Sequence, residues 1–246
     1  MTGEAPYTLQ DFLWRTSIQA VKASIDFESY EDFYRYMLDH LPQNSPETRR
    51  RYANLVGKRY FPGLSLGNLL PQVWRAYRDE QILVDLMRVT ALEAEPVIAR
   101  FMLDEVWPLA IGQIFDVAVA RTFIQETYGA FKKQSYERLL LTVRHLGFLG
   151  RYNDGWVVEE VPTPADALLI LLHDRLAPTP RIVRLDEILD ASWWRFLGLK
   201  MPDTVRHILR DAEAAGLISR YATVDELEQV TTRFTRDDYI TQARRL

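Results

Sequence analysis

One pattern occurs twice in this chain: a polar residue that can cap a helix, an amphipathic segment, a glycine, and a short apolar run ending in Arg-Tyr. The first copy spans residues 135–152 with Gly147 inside it, and the second spans residues 203–221 with Gly216. Glycine ends helices and apolar alternation favours strands, so each copy predicts a helix followed by a β-hairpin. This order is typical of a winged helix-turn-helix, present here by duplication or by chance.

The first half of the chain reads as consecutive helices that start at capping residues. Thr8 and Ser29 can each cap a helix, with Asp11 and Asp32 three residues further on. Ser45 followed by proline is a stronger start signal, and this third helix is expected to reach about residue 60. Further helical patterns cover residues 79–88, 95–107 and 112–127.

The character of the sequence changes after residue 130. Asp154–Gly155 between alternating apolar residues predicts a tight hairpin turn, and Asp203 is expected to cap the helix of the second copy. Prolines between 162 and 180 bracket one apolar helix over residues 165–176. We therefore predict a mainly α protein. Its helical domain, residues 1–161, ends in a helix–hairpin unit, and residues 162–246 form a winged-helix-like domain.

Several classes of function are disfavoured by what the sequence lacks. With no cysteine there are no disulfides, thiolate zinc sites or cysteine nucleophile. The four histidines show no metal-binding spacing, and there is no nucleophile elbow, phosphate-binding glycine loop or acidic-x-lysine nuclease motif. We expect a non-enzymatic protein without cofactor or metal. There is no secretory signal or long apolar run, so we expect a cytoplasmic protein with no membrane partner.

The chain has a net charge of −4, but it contains two basic islands, each with five basic residues and one acidic residue. The first island contains Arg49, Arg50, Arg51, Lys58 and Arg59. The second contains Lys132, Lys133, Arg138, Arg144 and Arg151. Guanidinium and ammonium groups neutralise phosphates, so both islands are candidates for binding double-stranded DNA. The alternative is a solvated helix face without a ligand.

The second copy of the repeated pattern is less decisive about its partner. Arg206 and Arg210 lie on its predicted recognition helix, where they could contact a major groove. However, residues 181–246 contain 11 basic and 11 acidic residues. A neutral winged helix is also suited to docking on protein, so both interpretations stay open here.

A family resemblance rests on residues of the first basic island and of the first copy of the repeated pattern. The residues that carry it are Ser45, Pro46, Thr48, Arg49–Arg51, Lys58 and Arg59, followed by Ser135, Arg138, Leu139, Gly147 and Leu149. Over about residues 8–160 the chain resembles BrxA, the small helical component of BREX phage-defence systems. The resemblance implies a non-enzymatic, DNA-binding accessory protein that acts beside other phage-defence proteins. Tandem winged helices in an acidic chain also resemble kleisin-binding subunits of chromosome-organising complexes, which contact protein first.

Overall fold

The computed structural model describes residues 12–129, 133–153, 155–225 and 227–242, and within these ranges the protein is mainly helical. The helices are α1 (Trp14–Ala23), α2 (Tyr30–His40), α3 (Pro46–Tyr60), α4 (Leu69–Tyr77), α5 (Glu80–Ala94), α6 (Pro96–Phe101), α7 (Val117–Tyr128), α8 (Lys133–His145), α9 (Ala165–Leu171), α10 (Leu185–Asp190), α11 (Trp193–Phe196), α12 (Pro202–Ala214) and α13 (Arg236–Gln242). Short 3₁₀ turns lie at Ser24–Asp26 and Pro62–Leu64, and π-helical turns extend α6 and α9 over Met102–Val106 and Leu172–Leu176.

In the described ranges, six short strands form two antiparallel sheets of three strands each. The strands are β1 (Ile114–Phe115), β2 (Leu149–Tyr152), β3 (Gly155–Val158), β4 (Ile182–Arg184), β5 (Arg220–Val224) and β6 (Leu227–Thr231). The strand orders are β1-β3-β2 and β4-β6-β5. The predicted mainly α fold with short hairpins is therefore confirmed. The helix predicted over residues 112–127 is partly wrong, because its first residues form β1.

Capping chemistry sets several of the helix starts as the sequence predicts. The Ser29 hydroxyl accepts a hydrogen bond from the backbone N–H of Asp32, and Ser45 does the same for Thr48, both at 3.1 Å. The prediction that Asp203 caps a helix is wrong. Proline at 202 already occupies the first turn of α12, and the cap position is Met201. Thr8 lies outside the described residues.

Two parts of the chain share one order of elements: a helix, a strand, a helical segment, a longer helix and a hairpin. We call residues 96–158 unit 1 and residues 165–231 unit 2. In each unit the first strand pairs with the second strand of the hairpin. In unit 1 the helical segment is α7, and in unit 2 it is α10 with α11. The longer helices, α8 and α12, each have 13 residues and end two residues before a glycine of positive φ.

This equal spacing fixes which residues of the two units correspond. When the sequences of the two units are aligned at Gly147 and Gly216, Arg138 corresponds to His207 and Arg151 to Arg220. We call this the glycine alignment. Counted instead from residues 135 and 203, where the two copies of the pattern begin, Arg138 would correspond to Arg206. That correspondence differs from the glycine alignment by one residue. The buried positions of the two helices agree with the glycine alignment, because Leu139, Leu140 and Val143 correspond to Ile208, Leu209 and Ala212.

Helix α5 carries a buried ion pair that joins three parts of the fold. Arg88 donates to the Asp85 carboxylate at 2.9 Å within α5. It also donates to the carbonyl of Leu146 at 2.6 Å, just after α8, and to that of Leu197 at 3.4 Å, just after α11. Burial raises the pKa of Asp85, and the Arg88 cation partly offsets this. One side chain therefore fixes both units against the N-terminal helices.

A second contact joins the two units directly. Lys200 of unit 2 donates to the carbonyls of Trp107 at 2.6 Å and Leu109 at 3.1 Å in unit 1. Trp107 in return donates its indole N–H to the carbonyl of Leu199 at 2.9 Å, and its ring meets that of Trp194 edge to face. The domain boundary between residues 161 and 162 stays a prediction, and the buried core runs across it.

Replacing Arg88 by methionine is expected to lower the free energy of unfolding by about 3–5 kcal/mol near neutral pH, because the Asp85 carboxylate is left buried without its cation. Urea unfolding measures this loss. With its pKa raised further, Asp85 binds a proton more tightly in the folded than in the unfolded state. Stability of Arg88→Met should therefore recover as pH falls from neutral toward the ordinary Asp pKa of about 3.9.

The control is the double variant Arg88→Met with Asp85→Asn, which has no titrating carboxyl at this position. It should regain part of the lost stability and lack the recovery at acid pH. A loss in Arg88→Met that is equal at every pH would contradict the assigned role of Asp85.

Candidate nucleic-acid interface

Helix α8 presents a basic face to solvent. Arg138, Leu141 and Arg144 are exposed and lie at spacings of three residues, so they share one side of the helix. The opposite side is buried in the core through Leu139, Leu140 and Val143. Of the other predicted residues, Lys132 lies outside the described residues, and Lys133 is described only as the first backbone position of α8. This face therefore holds two of the five basic residues of the second island.

The hairpin that follows α8 carries a third basic residue of the second island, Arg151. The Arg151 guanidinium lies 3.9 Å from the centre of the Trp156 ring on the neighbouring strand. Tyr152 is 59% exposed at the end of β2. Tyr152 pairs with Gly155, so only two residues connect the strands, and Asn153 has a positive φ of 51°. The predicted hairpin is confirmed, but its turn begins one residue earlier than predicted, because Gly155 already belongs to β3. Asp154 lies outside the described residues.

Helix α3 carries three of the five basic residues of the first island on one exposed face. Arg50, Arg51 and Lys58 are exposed, whereas Tyr52 and Leu55 are buried on the other side. Arg49 differs from these three. It is half-buried and donates to the carbonyl of Asp39 at 3.3 Å. The exposed cations can therefore be changed without disturbing the core.

The prediction that Arg59 contacts DNA is corrected by the structure. Arg59 is only 3% exposed, because it lies on the buried side of α3, four residues after Leu55. Its Nε donates to the Glu95 carboxylate at 2.7 Å, and its guanidinium lies 4.9 Å from the centre of the Phe12 ring. A guanidinium in this position neutralises a buried carboxylate and cannot reach a phosphate. Its role is structural.

Helix α12 of unit 2 has a different electrostatic character from α8. Arg206 donates to Asp203 at 2.8 Å and, through Nε, to Glu228 on β6 at 2.9 Å. The Tyr221 hydroxyl also donates to Glu228, and Arg210 lies over the Tyr221 ring at 5.5 Å. Hydrogen bonds from Arg206 and then Tyr221 lower the pKa of Glu228, and burial raises that of Tyr221 to about 12. The Arg206 side chain, which the sequence predicts to contact DNA, is thus paired with two carboxylates.

Helices α3 and α8, which carry the two basic faces, pack against different elements of the fold. Helix α3 packs against α1, α2 and α5, whereas α8 packs against α7 and β2. Helix α5 is their shared neighbour, through its contact with α3 and the Arg88 bond to Leu146. The sequence reasoning overlooked Leu141, Tyr152 and Glu228. The helical spacing of Leu141 from Arg138 and Arg144 is a signal that could have identified it.

Comparison of the chain with models of protein families, with curated proteins and with solved structures gave no match. In the part of the chain that the structure describes, no group of three or more His, Asp or Glu side chains is placed to hold a metal ion. No helix in that part is both long and apolar enough to cross a membrane.

Glu228→Gln is expected to destabilise the protein by about 0.5–1 kcal/mol near neutral pH, as for partly exposed ion pairs in general. Because its folded-state pKa is lowered, Glu228 stabilises the fold fully above its ordinary pKa of about 4.3 and loses this effect as pH falls through the lowered value. Thermal unfolding of both proteins should therefore differ at neutral pH and converge in acid. Glu160→Gln, at an exposed position outside this cluster, is the control, and an equal shift there would contradict the assignment.

Proposed function

We propose that this protein is a non-enzymatic, double-stranded-DNA-binding accessory protein of a BREX-type phage-defence system, and that its two units are winged helices. In a helix-turn-helix the second helix of the pair enters the major groove. By the order of elements, this second helix is α8 in unit 1 and α12 in unit 2. The resemblance to BrxA supports the defence role and, as partners, the other proteins of such a system.

The observation that carries the proposal is the difference between the recognition helices of the two units. Arg138 and Arg144 of α8 are exposed, and Arg151 is exposed on the hairpin that follows. In unit 2, Glu228 lies two residues before Val230, the partner of Tyr221, and so nearer the turn of the hairpin. The unit 1 hairpin turns directly after Tyr152, so it has no strand position that corresponds to Glu228. We therefore assign DNA contact to α8 and its hairpin.

The exposed face of α3 is proposed as a second phosphate-binding surface. Arg50, Arg51 and Lys58 lie on solvent, in a protein whose net charge is −4. Attraction between a protein and DNA acts over about one Debye length, roughly 8 Å at physiological salt, so local charge decides binding more than net charge. Contacts to phosphates carry no sequence information, which makes largely sequence-independent binding the expectation.

A specific observation favours a second candidate function for unit 2, which is docking on protein in the manner of kleisin-binding subunits. Arg206 is neutralised by carboxylates, and the far end of the unit 2 hairpin exposes Val224 and Leu227. Exposed apolar residues beside neutralised charges suit a protein partner more than a phosphate backbone. On this view unit 1 binds DNA while unit 2 joins the protein to a larger assembly.

Binding to a duplex of mixed sequence should weaken steeply with salt. If about four to six phosphates are neutralised, a plot of log affinity against log salt should have a slope of roughly −4 to −5. Fluorescence anisotropy with a labelled duplex measures this slope. Binding that does not depend on salt, or no binding at low salt, would favour protein docking for the whole chain.

Matched charge reversals separate the three candidate surfaces. We expect Arg138→Glu with Arg144→Glu to weaken DNA binding well over tenfold, because each lost phosphate contact costs on the order of 1 kcal/mol and each new carboxylate repels the backbone. Arg50→Glu with Arg51→Glu should also weaken binding. Arg210→Glu with Arg220→Glu, the equivalent test in unit 2, should change it little.

All of these positions are exposed, so each pair should alter thermal stability only slightly, at roughly 0–1 kcal/mol per residue. If only the double variant Arg210→Glu with Arg220→Glu loses binding, α12 is the helix that contacts DNA instead of α8. Normal binding in all three double variants would refute the proposed interface.

A further inference from the structure

The basic face of α8 has an apolar centre. Leu141 is 40% exposed, and it lies three residues after Arg138 and three before Arg144. In the described part of α8 it is the large apolar side chain that remains exposed. A single exposed leucine is ordinary on a protein surface and would need no explanation. The hairpin, however, adds a second exposed apolar group on the same unit.

The second group is Tyr152, and unit 2 shows how its position relates to that of Leu141. By the glycine alignment Leu141 corresponds to Arg210 and Tyr152 to Tyr221. Arg210 and Tyr221 are in contact, with the guanidinium 5.5 Å from the ring centre. Leu141 and Tyr152 therefore stand at the two positions that are in contact in unit 2. On α8 itself, Leu141 is an exposed apolar surface that lies between the exposed Arg138 and Arg144.

The chemistry of this surface matches one feature of DNA. In the major groove the apolar group that a base pair offers is the 5-methyl group of thymine, and aliphatic side chains recognise it by direct contact. Arginines on either side hold the helix on the phosphates and fix its position. We infer that Leu141 packs against thymine methyl groups when α8 lies in the major groove, which gives unit 1 a preference for thymine. This inference rests on the proposed DNA-binding function.

Replacing thymine by uracil tests the inference, because it removes the methyl group and leaves the base pairing and the charge of the duplex unchanged. Two duplexes of the same A·T-rich sequence are compared by anisotropy at one low salt concentration, one with thymine and one with uracil in both strands. The wild-type protein should bind the thymine duplex about fourfold more tightly, as expected for one buried methyl-sized group. Leu141→Ala should bind the two duplexes equally.

The control variant is Leu227→Ala, which shortens a leucine that is 50% exposed at the hairpin of unit 2. It should keep the preference for thymine. Because neither substitution changes a charge, both variants should keep the salt dependence of the wild type. A thermal melt confirms that each is folded.

The outcomes distinguish the inference from the function on which it rests. Equal wild-type affinity for both duplexes would overturn the role of Leu141 and leave DNA binding intact. A preference that survives in Leu141→Ala, or disappears in Leu227→Ala, would also overturn it, since another surface would then contact the methyl group. If the wild type binds neither duplex at low salt, the proposed function itself falls and the inference falls with it.

Discussion

The buried guanidinium of Arg88 is the contact on which the arrangement of this protein depends. It is paired with Asp85 inside α5 and bonded to carbonyls that follow α8 and α11. An arginine suits this position because its planar fork donates several hydrogen bonds in fixed directions. Burying a charge pair costs desolvation, so such a pair is not retained for net stability alone. Here it sets the direction in which both units leave the N-terminal helices.

The two units show how one topology can present different surfaces. Their element order and strand order are the same, and their long helices have equal length. They differ in the hairpin, which is longer in unit 2 and brings Glu228 onto Arg206. In unit 1 the strands turn directly after Tyr152. A difference of a few residues in the hairpin thus decides whether a strand position equivalent to that of Glu228 exists beside the longer helix.

The same principle separates Arg59 from Arg50 on a single helix. Both belong to the first basic island, but Arg59 lies on the buried side of α3, where Glu95 neutralises it. Arg50 lies on solvent nine residues earlier. Cations of equal charge therefore have opposite roles, one structural and one available to a ligand. The side of the helix on which each residue lies decides its role, and the amino-acid composition does not contain this information.

Local chemistry determined much of the secondary structure from the sequence alone. Caps at Ser29 and Ser45, glycines at 147 and 216 and the turn after Tyr152 act over a few residues, so they can be read without tertiary context. Strands β1 and β4 could not be read in this way, because they are two or three residues long and exist only through pairing with a distant hairpin. The burial of Arg59, the compensation of Arg206 by Glu228 and the contact of Arg88 with both units were likewise decided by tertiary structure. Each of these depends on groups at least 20 residues apart in sequence, and local patterns cannot encode such a separation.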